Sequence, residues 1–286
     1  MSLDILLKRL GLSTVAAVLT DLIPVAERED WSYVQFLERL LSEEVAHRAE
    51  NRMTTQVAKA KFPFAATIET FDFTFRSDLK RQMLGRFLGP ELVSDHRSLI
   101  LEGPPGTGKT HLCISIAYKA IQNGFAARFI TAASLINELR VAHDKEVCWG
   151  KLPPATFRLN AALKPYIQPH VLVIDEMGYL GYGPGAADVL FQVVDQRYQQ
   201  GKPILFTTNK PLRQWGRVLH DEELARAVID RTLHYGEYLK LSGASYRLKG
   251  AKFDFERPSP HEGALSSEHT ETLKADLTTA KPLVIQ

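Results

Sequence analysis

Cysteine is nearly missing from this 286-residue chain, which has Cys113 and Cys148 and no others. Two thiols exclude a disulfide framework and fit a reducing compartment, so both are read as core-like or incidental residues. Long apolar runs are missing as well. Nothing approaches a membrane span, and the opening Met1–Ser13 stretch lacks the unbroken apolar segment of a secretion signal. A cytoplasmic protein without membrane contact is expected. There is little excess charge of either sign: the formal net charge is +2, and because Ala251–Gln286 holds 4 basic and 6 acidic residues, the rest carries +4. That balance allows a local basic surface without establishing one, so a nucleic-acid partner has to be argued from motifs. The 9 histidines show no paired metal-ligand spacing. No internal repeat is visible.

What is present is a hydrophobic fraction of 45%, enough for a substantial core, and one very informative run. Leu99-Ile100-Leu101-Glu102 leads straight into Gly103-Pro104-Pro105-Gly106-Thr107-Gly108-Lys109-Thr110, a G-x-x-x-x-G-K-T pattern followed by helical spacing. Glycines let consecutive backbone N–H groups converge on phosphate oxygens, Lys109 brings a cation to the β- and γ-phosphates, and the Thr110 hydroxyl is placed to ligate Mg²⁺. The expected ligand is a nucleoside triphosphate, with His111 at the start of the helix close to it.

A second run, Val171-Leu172-Val173-Ile174-Asp175-Glu176, describes a buried strand with two carboxylates where it emerges. Asp175 is expected to hold Mg²⁺ opposite Thr110, and Glu176 to polarise the water that attacks the γ-phosphate. The run Phe206-Thr207-Thr208-Asn209 ends in an amide suited to positioning the same water, although an Asn at a strand end is commonly a turn residue.

Three zones organise the chain. Residues 1–62 read as a small helical domain. In it Ser32 and Gln35 have capping-box spacing, and Tyr33, Phe36, Leu37, Leu40 and Leu41 form an apolar stripe. The expected partner of that stripe is the face of Leu3, Ile5, Leu6 and Leu10. Arg48, Arg52 and Lys59 fall on about one helical face, read either as a phosphate contact or as a solvated surface. Residues 63–250 alternate strands (Ser98–Leu101, Ala127–Ile130, Val171–Ile174, Ile204–Thr207, Tyr238–Leu241) with helical segments, which predicts an α/β fold with a parallel sheet flanked by helices. Such sheets bind ligands at the carboxyl ends of their strands. Residues 251–286, rich in Pro, Ser, Thr and Glu, read as a disordered tail.

The order of phosphate loop, Asp-Glu strand and Asn strand resembles the AAA+ P-loop ATPases, in which the polar residue at Asn209 is called sensor 1. Gly178-Tyr179-Leu180, Leu190-Phe191-Gln192, Arg197-Tyr198, Lys210-Pro211, Trp215-Gly216, Ile229-Asp230-Arg231 and Gly243-Ala244-Ser245-Tyr246-Arg247 narrow the likeness. With them the chain resembles the IstB/DnaC-like family over most of residues 1–250. That family comprises helper ATPases of bacterial insertion sequences and their relatives, the replicative helicase loaders. The resemblance implies an ATP- and Mg²⁺-dependent ATPase that forms homo-oligomers on duplex DNA and assists a cognate transposase, the helicase loader being the alternative. It implies that Arg231 is an arginine finger acting in a neighbouring subunit, with Arg226 as a competitor for that part and Arg247 as a sensor 2 candidate. The resemblance to DnaC-type relatives also implies DNA contact in the region Leu135–Lys164, where Arg140, Lys145, Lys151, Arg158 and Lys164 are interspersed with Trp149 and Phe157, the alternative being an exposed helix hairpin with its aromatics packed inward. Two rivals remain open: an ATP-gated DNA-binding switch with negligible hydrolysis, and a small-molecule kinase.

Overall fold

The computed structural model describes residues 2–75, 79–144, 155–179 and 181–248. Three helices come first: α1 (Leu3–Leu10), α2 (Ser13–Arg28) and α3 (Tyr33–Ala60). Short turns α4 (Gly85–Leu88) and α5 (Glu91–Ser94) precede β1 (Leu99–Glu102), α6 (Lys109–Gln122), β2 (Ala127–Thr131), α7 (Ala132–Asp144) and α8 (Ala155–Ile167). Then follow β3 (Val171–Met177), α9 (Ala186–Gln199), β4 (Ile204–Thr208), α10 (Trp215–Leu219), α11 (Glu222–His234) and β5 (Glu237–Lys240). Met1–Tyr246 form one compact unit.

All five strands pair in parallel in the order β2-β3-β4-β1-β5. Each predicted strand is present within a few residues of its expected bounds. The short apolar runs have a direct cause: the sheet is covered on both faces, so successive residues enter different cores. Leu99, Leu101, Val171, Val173 and Leu205 pack with α6 and the end of α3, while Ile100, Leu172, Ile174, Ile204 and Phe206 pack with α7, α8, α9 and α11. At the amino ends of β3 and β4 the fully buried Arg197 of α9 donates to the carbonyls of Tyr166, Pro169, His170 and Pro203 at 2.7–3.0 Å.

The helical start departs from expectation in its packing. Ser32 and Gln35 do form a capping box, with Gln35 N donating to Ser32 Oγ at 3.3 Å and Ser32 N to Gln35 Oε1 at 2.8 Å. Of the predicted stripe, however, only Leu40 is buried and Phe36 half-buried; Tyr33, Leu37 and Leu41 stay exposed. The proposed partner face of Leu3, Ile5, Leu6 and Leu10 is exposed too. The correction lies in α2, whose Val15, Val18, Leu19 and Leu22 recur at i, i+3, i+4, i+7 and cover Leu40 together with Leu7. The last turns of α3 belong to the sheet's core instead, through Met53, Val57 and Ala60.

Arg48 and Arg52 are not free for phosphate. Arg48 bonds Glu44 Oε1 at 2.8 Å and Gly11 O at 2.7 Å, and Arg52 bonds Gly124 O at 3.2 Å. Glu44 in turn accepts from Thr14 N at 2.8 Å and Val15 N at 3.2 Å. It caps α2, whose own N-cap position is Leu12 and offers no side-chain acceptor. Burial pushes the Glu44 carboxyl up, but the Arg48 bond and the two amides outweigh it and hold the group below the usual carboxylate range.

Candidate nucleotide site

The loop Gly103–Thr110 joins the carboxyl end of β1 to α6, so the first amides of that helix face the loop's hollow. Gly106 and Gly108 have φ of +76° and +89°, a region that other residues enter only with strain. The loop is also covered closely. A Cβ on Gly106 would stand 1.9 Å from Ser245 Oγ, and one on Gly108 2.6 Å from the Phe71 ring. The Lys109 ammonium lies back over the loop and donates to the carbonyls of Gly103 at 2.7 Å and Pro104 at 2.8 Å, while the Thr107 hydroxyl also bonds Pro104 O at 2.8 Å.

The two predicted halves meet. Thr110 Oγ1 donates to Asp175 Oδ1 at 2.9 Å, joining the loop to the tip of β3. Asp175 is buried, whereas the Glu176 side chain next to it is exposed. The β4 tip lies between β1 and β3: Gly103 N donates to Thr208 O at 3.1 Å, and Thr208 Oγ1 to Met177 O at 2.8 Å. Asn209 follows immediately, and its Oδ1 is buried with no hydrogen-bond partner in the described structure. A buried acceptor in that condition needs a donor, such as a water or a ligand group.

His111 is placed beside the loop, but its ring is occupied. Nε2 lies 3.2 Å from both Thr67 O and Thr70 Oγ1, and the ring meets Phe71 edge-on at 5.6 Å. It holds the Phe-rich segment, with Phe62, Phe64, Phe71, Phe73 and Phe75, over Gly108 rather than turning into the loop. The lining contributed by Phe71, Ser245 and Tyr246, whose N donates to Gly106 O at 3.0 Å, was not singled out from the sequence. The Phe-rich stretch and the Gly243–Arg247 run were the available signals. Cys113 conforms to its core-like reading: burial and the nearby Asp175 push its thiol well up, against the pull of Lys109.

Arg231 sits on α11, where Nε donates to Asp195 Oδ1 at 2.8 Å and the guanidinium lies 4.6 Å from the Phe191 ring centre. It lines a cavity with Ser98, Gly201 and Ile204 at the amino ends of the strands, the end away from its own phosphate loop. Arg226 is exposed, 3.9 Å from Glu222, and Arg247 is exposed in a short turn. In the basic region, α7 and α8 pack against each other. Lys145, Trp149 and Lys151, the side chains of Phe157 and Arg158, Leu180, Cys148 and residues 251–286 lie outside the described residues. Among the described residues no helix is long and apolar enough to cross a membrane, and no cluster of three or more His, Cys, Asp or Glu is set to hold a metal.

A five-stranded parallel sheet in the order β2-β3-β4-β1-β5, with a phosphate loop after β1 and an Asp-Glu pair at the tip of β3, is an AAA+ P-loop NTPase fold. AMPPCP-bound DnaA from Aquifex aeolicus matches it with a TM-score of 0.51 at 18% identity, over 66% of this chain and 54% of that one. Residues 5–253 match the family described as IstB-like ATP binding protein, and the chain belongs to that family. Among its relatives, a protein of Geobacillus stearothermophilus named for ATP binding in insertion sequence IS5376 is 38% identical over 249 residues, covering 87% of this chain and 94% of the relative. A Pseudomonas aeruginosa protein similarly named for insertion sequence IS21 is 33% identical over 247 residues, covering 86% and 89%.

Proposed function

We propose that this chain is a cytoplasmic Mg²⁺-dependent ATPase that assembles with copies of itself on duplex DNA and assists the transposase of an insertion sequence. The observation that carries the chemistry is the Thr110–Asp175 contact, which brings a hydroxyl and a carboxylate together beside a phosphate loop. One carboxylate plus one hydroxyl is the sparse oxygen donor set that suits Mg²⁺, a cation that keeps waters and takes its remaining ligands from phosphates. Thr110 and Asp175 would hold the metal, and the metal would neutralise charge on the phosphates. The loop amides and Lys109 bind the triphosphate, Glu176 accepts a proton from the attacking water, and the orphaned Asn209 Oδ1 orients that water.

Arg231 completes a neighbour's site. Its place at the strand ends away from its own loop supports action between subunits, where a guanidinium stabilises charge on the transferred phosphoryl group. Hydrolysis then depends on assembly. The relatives named for insertion sequences support the transposase over a helicase as partner.

The test is phosphate release with and without duplex DNA, combined with particle mass in ATP, ADP or no nucleotide. Wild-type protein is expected to release phosphate without any added acceptor and to enlarge in ATP, and Lys109→Ala to do neither. Glu176→Gln is expected to bind ATP but lose about 10²-fold or more in turnover. Arg231→Ala should do likewise, and mixing the two inactive variants should restore measurable turnover. Nucleotide binding with no turnover, unchanged by Glu176→Gln, would instead establish the ATP-gated switch. Failure of the mixture to restore any turnover would refute the shared site.

A further inference from the structure

We infer that Thr207 is a positioning residue whose single hydroxyl sets both the metal-binding carboxylate of Asp175 and the backbone of Glu176. The inference rests on the ATPase reading for the metal-binding part given to Asp175 and for its consequences, and on geometry for the two hydrogen bonds. Between the paired residues Ile174↔Phe206 and Met177↔Thr208, β3 has two residues, Asp175 and Glu176, where β4 has one, Thr207. This is a bulge, and the ordinary ladder bonds are interrupted there. Glu176 takes φ +59°, a left-handed conformation that a glutamate rarely adopts.

Thr207 fills the gap with its side chain. Its Oγ1 accepts from Glu176 N at 2.9 Å and donates to Asp175 Oδ1 at 2.5 Å. The same Oδ1 accepts from Thr110, so two hydroxyls, one from the first turn of α6 and one from β4, fix the carboxylate's rotation. Thr207 is 1% exposed, so water has no easy access to substitute for its hydroxyl. On the far side of the turn, the Tyr182 hydroxyl donates to Glu176 O at 3.3 Å and accepts from Gly178 N at 3.2 Å, which holds the peptide units that follow. The Thr207 hydroxyl is spent on the Asp175 carboxylate and the Glu176 amide. Its effect passes through the two residues it aligns, because sub-ångström errors in a catalytic constellation are costly.

The discriminating pair is Thr207→Val, which keeps shape and removes the hydroxyl, and Thr207→Ser, which keeps the hydroxyl. In nucleotide-free protein, hydrogen exchange at the Glu176 amide should rise about tenfold in T207V, as expected for loss of one buried hydrogen bond. Binding of a fluorescent ATP analogue in EDTA should match wild type, while the Mg²⁺ concentration that half-saturates tightening should rise about tenfold. Turnover should fall about 10- to 100-fold through kcat rather than KM, and T207S should recover most of each loss. If T207V does not fold, Thr207→Cys, close in volume and a weak donor, takes its place under the same criteria. Exchange and Mg²⁺ dependence within twofold of wild type, or a Ser variant no better than Val, would overturn the inference. A wild-type protein that binds ATP without hydrolysing it would sink the ATPase reading alone, since exchange and Mg²⁺-dependent affinity still read out Thr207.

Discussion

Replacing Arg197 with methionine removes a cation that the interior holds without a carboxylate partner among the described residues. Burial pulls its pKa down to about 9, so the guanidinium remains charged at neutral pH, its two terminal nitrogens held by four carbonyl oxygens at 2.7–3.0 Å while its buried Nε has no partner among the described residues. Methionine fills much of the same space but offers no donor. Pro203 O keeps a bond from Leu172 N at 3.3 Å, which leaves the carbonyls of Tyr166, Pro169 and His170 as the principal losses. Each buried acceptor deprived of its partner costs about 1–3 kcal/mol, and relief from burying the charge offsets part of the total, so a net destabilisation of about 3 kcal/mol is expected. In a domain of this size that corresponds to a fall of about 6–12 °C in Tm. Thermal unfolding followed by circular dichroism, without nucleotide, measures it, with Arg197→Lys expected to fall between wild type and Arg197→Met because one ammonium reaches fewer of the carbonyls. Nucleotide affinity at low temperature should change little, since Arg197 acts at the amino ends of β3 and β4. A Tm for Arg197→Met within about 2 °C of wild type would show that the buried guanidinium brings no net stability and would refute this reasoning.

Two further outcomes follow from particular contacts. Glu44 is held below its ordinary pKa of 4.5, so its contribution to the helical start is complete above that value and is lost as pH falls through the lower folded-state value; Glu44→Gln should remove this acid-dependent loss of helicity while lowering stability at neutral pH. Gly106→Ala forces a side chain into φ +76° and to within 1.9 Å of Ser245 Oγ, so ATP affinity should drop at least about tenfold in a titration while the sheet's cooperative unfolding persists.

The phosphate loop and the Asp-Glu strand were legible in the sequence because each is a contiguous run whose chemistry depends on local order. The four apolar strands were legible for a similar reason, since burial on both faces writes itself as an unbroken hydrophobic stretch. What escaped depends on residues far apart in the chain. Glu44 caps a helix 30 residues upstream, and nothing in its neighbourhood marks it as a cap. Thr207 looked like an ordinary strand threonine until the bulge in β3 brought it opposite two carboxylate residues. α2 was overlooked as the partner of α3, and the exposed leucines of α1 were chosen for it, because periodicity tells which residues share a face but not what that face meets. His111 was placed near nucleotide by proximity to the loop, whereas its ring is committed to Thr67 and Thr70.

Helix α3 runs unbroken for 28 residues, a rod of about 42 Å. Its first turns are gripped by α2 and its last are embedded under the sheet, where Arg128 bonds the carbonyl of Lys59 at 3.1 Å. Just past its end begins the segment that carries Phe71 onto Gly108. One continuous helix and a short connecting stretch thus tie the α1–α2 pair to the segment that rests on the phosphate loop.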